Sequence, residues 1–320
     1  MIPGWRSFLV LLVWLLVPLV ISQGSTLNLF VFAAINLIQA IGLSLLFGYA
    51  GQISLGQAGF YAIGAYVSSV LAFRLGVPPI IGLVAGTVAA SVIGYLIGRP
   101  VLRLRGYYLA MVTAAFGLIA HTILVEWEEI TGGYSGLAGI APIDLGIVTI
   151  DSPRRMFYLA GGLAIVVFAL ALRMVRTPYA RAMQTMRESE PAARSVGIDL
   201  PALKSEVFAI AAGLSGLAGA LYAHYIGYIS PESFTIDASI NLLIALVIGG
   251  VGSLWGAGIG AILLSFLPEW LHALKSAYGI VFGALVIVLL TLEPGGLMAI
   301  INTLRRRLLP QTPLGPSGKD

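Results

Sequence analysis

Cysteine is absent from the 320 residues, which excludes disulfides and thiolate metal sites and leaves the redox compartment unread. Charge is scarce too, at 10% of residues. With 58% apolar residues and a mean hydropathy of +0.96, the chain has too little polar surface to coat a water-soluble domain of its length. The three histidines, His121, His224 and His272, are too scattered to offer metal-ligand spacing. Lysine occurs only at Lys204, Lys275 and Lys319, none of them in a glycine-rich strand-to-helix loop of the kind that cradles nucleotide phosphates. The net charge of +4 comes from basic residues clustered between apolar runs, a pattern that speaks for membrane orientation and against nucleic acid.

What the chain has instead is a succession of apolar runs, each of which must approach about 20 residues to cross a bilayer core as a helix. Ten do so: Phe8 to Ser22, Leu27 to Phe47, Ala58 to Phe73, Pro79 to Gly98, Tyr107 to Val125, Met156 to Leu172, Val207 to Ile229, Ala238 to Gly252, Ala257 to Leu271 and Tyr278 to Leu292. Several are short. The expected fold is therefore an all-α polytopic membrane protein with eight to ten transmembrane helices, as one domain over residues 1–304 followed by a tail at 305–320. The first run, with Arg6 before it and small residues after it, has signal-peptide features but is read as a first span, because the chain is apolar from end to end.

Basic residues accumulate in cytoplasmic loops, so their distribution orients the chain. With both termini inside, Arg6, Arg99, Arg103, Arg105, Arg173, Arg176, Arg181, Arg187, Arg194, Lys204, Arg305, Arg306, Arg307 and Lys319 fall on the cytoplasmic side. Arg74, Arg154, Arg155 and Lys275 remain outside, where the longest loop, 126–155, carries Glu126, Glu128, Glu129, Asp144 and Asp151.

Thirty-nine glycines would weaken soluble helices but let membrane helices approach closely. Gly82, Gly86, Ala90, Gly94 and Gly98 recur every four residues and predict one smooth packing stripe along the fourth span. Between the second and third spans, glycine, glutamine and serine interrupt the apolar pattern from Gly48 to Gly59. This stretch reads either as broken helix walling a translocation pathway or as a plain cytoplasmic turn. A fainter echo lies at Gly249 to Gly256. The loop from Arg173 to Lys204 is too long for a simple connector. Helix is expected from Tyr179 to Ser189, a second short helix after Glu190 where Pro191 suits a first turn, and a stop at Gly197. Such a surface helix fits either anionic lipid or a partner's groove.

Glu190-Pro-Ala-Ala193 followed by Gly197 resembles the glutamate-alanine-alanine loop in permease subunits of ATP-binding-cassette importers. Several segments, in order along residues 30 to 300, are similar to the LivM-type permeases of branched-chain amino acid importers. They are Gly48 to Phe60, Leu104 to Ala110, Thr131 to Leu137, Arg187 to Asp199, Ile229 to Phe234, Gly249 to Ser253 and Glu293 to Leu297. Permeases for urea and short amides share some of these fragments. The resemblance implies a transport protein, not an enzyme, in a bacterial plasma membrane. It further implies a second homologous permease subunit, two ATPase subunits that hydrolyse the ATP, so that this chain binds no cofactor itself, and an external binding protein that the 126–155 loop would touch. Arg187, Glu190, Ala192, Ala193, Arg194 and Gly197 would then form the contact with the ATPases, their small residues letting the loop helix sit deep in a groove.

Two other classes fit less well. A proton-driven secondary transporter needs ionisable groups inside the membrane, whereas Glu206, Glu232, Asp237, Glu269 and Glu293 all fall near span ends. An intramembrane serine protease is suggested by Ser215 and His224, but nine residues on one helix separate them by roughly 13 Å and turn them to opposite faces. For the translocation pathway the candidates are Asn36, Gln39, Gln52, Ser54 and Gln57, polar side chains in or beside the interrupted spans, with interhelical hydrogen bonding as the structural alternative.

Overall fold

A computed structural model of the chain describes residues 24–104, 106–146 and 148–271, with positions 283, 291, 296–300 and 303. Two expected spans, Phe8 to Ser22 and Tyr278 to Leu292, fall outside the described residues or nearly so. Helix α1, Gly24–Leu43, runs into a π-helical turn at Ser44–Tyr49. It is followed by α2 (Gln57–Leu75), α3 (Pro79–Val101), α4 (Tyr107–Glu126) and the single turn α5 (Glu128–Thr131). Then come α6 (Pro153–Met174), α7 (Pro178–Glu188), α8 (Glu190–Ser195), α9 (Leu200–Ile226), α10 (Ile236–Gly249) and α11 (Leu254–Leu271). Among the described residues seven helices are long and apolar enough to cross a membrane, α1 with its π turn and α10 with the short 3-10 turn before it among them, and α11 is a slightly shorter apolar helix. The fold is all-α and polytopic.

Among the described residues strand structure is confined to two-residue pieces in the connections. β1 (Leu137–Ala138) pairs with β4 (Tyr228–Ile229), and β2 (Ile143–Asp144) with β3 (Thr149–Ile150), both antiparallel. Because the spans alternate in direction, the connections sort to two ends. One end carries 50–56, 102–106, 175–199 and 250–253; the other carries 76–78, 126–153 and 227–235. The 126–153 connection is held against the body by the β1–β4 pair and by His224, whose ring nitrogens meet the carbonyl of Ala141 at 2.7 Å and the hydroxyl of Ser68 at 2.8 Å.

The centre is a three-helix seam of α2, α3 and α9 in which small residues bring backbones together. On α3 the stripe Gly82, Gly86, Ala90, Gly94 and Gly98 is buried, as its four-residue spacing predicts. A Cβ on Gly64 of α2 would run into the carbonyl of Gly216 on α9; one on Gly86 would meet the carbonyl of Gly64, and one on Gly219 that of Tyr61. Without a hydrophobic drive between helices in lipid, such close van der Waals packing is what associates them. Near one end of the seam the ring of Phe60 packs edge-on against Phe208, with centroids 5.5 Å apart.

Candidate functional site

At the end that holds the 50–56 connection, two glycine-rich breaks meet. The π turn widens and underwinds the end of α1, and backbone N–H groups of Ala50, Gly51 and Gln52 bond back to the carbonyls of Leu45, Phe47 and Leu46. Gly51 has φ 70°, so a side chain there would be strained. From 50 to 56 the chain is not helical. Its polar groups are met by hydroxyls from distant helices: Leu55 N–H donates to Thr113 Oγ1 at 3.0 Å, and Ala58 N–H donates to Ser239 Oγ at 2.8 Å. Thr113 on α4 and Ser239 on α10 are both buried, and they satisfy donors that a helix start otherwise leaves orphaned. The interruption is therefore built into the protein interior and is not a surface turn. Its neighbour is the second break, since a Cβ on Gly48 would lie 2.7 Å from the backbone nitrogen of Gly252. The Gly249 region is in turn locked to α11, where Gly249 faces the carbonyl of Gly256.

Arg187, in the last turn of α7, ties these breaks to the long connection. Its Nη1 donates to the carbonyl of Gly48, its Cγ lies over Gly51, and the same Nη1 stands beside Gly252. Helix α7 forms as the sequence suggests, with Pro178 in its first turn and alternating faces. Ala180, Met183 and Met186 are buried in one cluster with Leu102, Leu109, Leu203 and Phe208, while Arg181, Gln184 and Glu188 are exposed. The apolar face thus rests on the chain's own helices, in place of the lipid or partner groove that composition left open. Beneath it, Tyr179 donates to Glu206 Oε2 at 3.1 Å. Burial, and then the adjacent carboxylate, push the tyrosine hydroxyl well above its ordinary value.

Helix α8 starts at Glu190, capped by Ser189, whose Oγ accepts from Ala192 N–H; the chain turns away at Gly197, with φ 81°. Ala193 has no exposed surface and lies in the same cluster as Met183 and Leu203, packed against the chain's own helices. Glu190 also turns inward: Lys204 Nζ donates to its Oε1 at 2.7 Å and to the carbonyl of Leu102 at 3.2 Å, with the side chains 10% and 16% exposed. Alanine suits a protein's own packing as well as a partner's groove, and its identity alone does not say which. Pro191, Ala192, Arg194, Ser195, Val196 and Gly197 are the exposed members of 190–197.

The five polar candidates divide. Gln52, Ser54 and Gln57 come together at the broken segment, all nearly without exposure. Ser215 Oγ donates to Gln57 Oε1 at 2.6 Å, and neither side-chain atom of Gln52 has a partner. Asn36 and Gln39 lie on α1 before the π turn, where Asn36 Nδ2 donates to Ser265 Oγ on α11 at 2.9 Å. That is the interhelical role. Ser215 and His224 sit on one unbroken helix and bond to different partners, Gln57 and Ser68, so they form no dyad. Thr113, Ser239 and Arg187's reach to Gly48 were not legible as a set, because their partners lie 58, 181 and 139 residues away.

Residues 25–290 match the family described as branched-chain amino acid transport system permease component. The chain is 36% identical to the high-affinity branched-chain amino acid transport system permease protein LivM of Escherichia coli strain K12, over 92% of this chain and 75% of that protein. It is 35% identical to the protein of the same name in Salmonella typhimurium, over 88% and 71%. It is also 26% identical to the LivH permease protein of the Escherichia coli system, over 81% and 89%. No solved structure matches.

Proposed function

The chain belongs to the branched-chain amino acid transport system permease family, and from that premise we propose that it is one membrane-spanning subunit of an ATP-binding-cassette importer. Its cargo is leucine, isoleucine, valine or a related hydrophobic amino acid, moved inward across a bacterial plasma membrane. Separate ATPase subunits, two per transporter, supply the energy; a second permease subunit homologous to this one completes the pathway, and an external binding protein delivers the amino acid. Similarity to both LivM and LivH of one system supports a paired, homologous subunit.

The observation that carries the mechanism is the Arg187 junction. One guanidinium links α7 to the carbonyl of Gly48 and the flank of Gly252, so a push on α7 and α8 reaches both broken segments without passing through a flexible loop. With this end cytoplasmic, an ATPase would bear on Ala192, Arg194, Val196 and Gly197 and move Arg187. Glu190 and Ala193 hold α8 rigidly to α9 instead of touching the partner. Among the described residues no Asp or Glu side chain is fully buried, which favours an external energy source over an ion relay through the bundle.

The test is uptake of labelled leucine and urea into proteoliposomes that contain the chain, its co-purifying partners and the binding protein, with and without internal ATP. ATP-dependent leucine uptake is expected. ATP-dependent urea uptake would reassign the substrate class, and ion-driven uptake by this chain alone would overturn the importer reading.

A further inference from the structure

A cavity lies between α3, α8 and α9, at the end that holds the 50–56 connection, with a volume of about 130 Å³. Arg99, Arg103, Arg194 and Lys204 line it, with Glu190 and the apolar side chain of Leu102. Lys204 and Glu190 neutralise each other at 2.7 Å. The three arginines form no ion pair with a described residue, so the cavity keeps a surplus of positive charge. Arg99 is held at the helix end, with its guanidinium 5.6 Å from the centre of the Tyr95 ring. Arg99 and Arg103 stand one turn apart on α3 and just beyond it, and Arg194 approaches from α8.

The outer face of α3 leads to this cavity. Val84, Val88, Val92 and Leu96 are exposed at four-residue spacing, opposite the glycine stripe, and the arginines continue that face where the span ends. An apolar track that finishes in clustered cations at the end of a span matches an amphiphile with alkyl chains and an anionic head. A free anion has no use for the track.

We propose that this cavity binds the phosphate of an anionic phospholipid, whose guanidinium contacts bridge α3 to α8 while its acyl chains lie along the exposed valines. The lipid thereby supplies counter-charge to the arginines and steadies the segment that carries Arg194. The proposal shares Arg194 with the ATPase surface of the transport reading, but its test reads lipid and not uptake, so the two can fail separately.

The test is native mass spectrometry of the intact transporter, full chain and co-purifying partners, titrated with phosphatidylglycerol, phosphatidylcholine or inorganic phosphate. The wild type should retain phosphatidylglycerol in preference to phosphatidylcholine. The R99Q/R194Q variant should bind it about 25-fold more weakly, at roughly fivefold for each arginine, whereas R181Q, on the exposed face of α7, should bind as the wild type does. Equal retention of the two lipids, or undiminished binding by R99Q/R194Q, would overturn the proposal. Displacement of phosphatidylglycerol by millimolar inorganic phosphate would also overturn it, in favour of a free-anion site. If R99Q/R194Q does not fold, thermal unfolding of the wild type decides: phosphatidylglycerol should raise Tm more than phosphatidylcholine, and an equal effect would sink the idea.

Discussion

Glycine builds both the seam between α2, α3 and α9 and the junction at Gly48 and Gly252, yet the two regions depend on it differently. In the seam, glycines at four-residue spacing bring intact helices into backbone contact, with the hydroxyls of Ser68 and Ser91 among the groups packed against them. At the junction, glycines let the chain leave helical geometry, and the freed polar groups are met one by one by Thr113, Ser239 and Arg187. The seam is steric and continuous. The junction is polar and specific, and a change in one charged side chain reaches it without disturbing the packing below. A closely packed body beside a polar junction at one end suits a transporter that rearranges at that end.

The largest effect should come from breaking the seam. Gly64→Ala drives a methyl group into the Gly216 carbonyl, whereas Gly258→Ala on α11 adds a Cβ with nothing within 4 Å. The first should cost about 3 kcal/mol and sharply lower the yield of monodisperse protein in fluorescence size-exclusion chromatography. The second should leave the yield unchanged or raise it, since alanine is the better helix former. Equal yields would mean that close backbone approach does not hold the core.

A smaller effect is expected from Lys204→Met, which removes a charged donor from Glu190 and from the carbonyl of Leu102. The loss, about 2 kcal/mol, should fall on α8, so trypsin should cleave after Arg194 on the order of tenfold faster while the spans stay folded. Unchanged cleavage would show that α8 is held by Ala193 and its neighbours alone. The smallest effect belongs to Ser215→Ala. It deletes the bond to Gln57 within the bundle and should cost only about 0.6 kcal/mol, seen as a slight fall in Tm. A collapse in that variant would move Gln57 from local packing to a central structural role.

These contrasts also mark where the sequence could be read. Span positions and the α3 stripe follow from local spacing, which hydropathy and residue size record directly. The same information does not say how much of a helix is covered: α9 is mostly buried and α3 mostly exposed, although both are apolar and both belong to the seam. The interruption after Gly48 was visible in its glycines and glutamines, but not the hydroxyls that complete it, because those arrive from other helices. Ala193 and Glu190 face inward, a direction that neither small size nor charge records in the sequence. The reach of Arg187 across to Gly48 is likewise a property of the folded chain only.

In the proposed function Arg187 is the mechanical link, and leucine taken up per ATP hydrolysed by the reconstituted transporter tests that link directly. For Arg187→Met, with the same amount of folded protein as the wild type, ATP hydrolysis should persist while uptake falls by about tenfold or more, the equivalent of one charge-assisted hydrogen bond. An unchanged ratio of uptake to hydrolysis would contradict the account, because the broken segments would then receive their signal by another route.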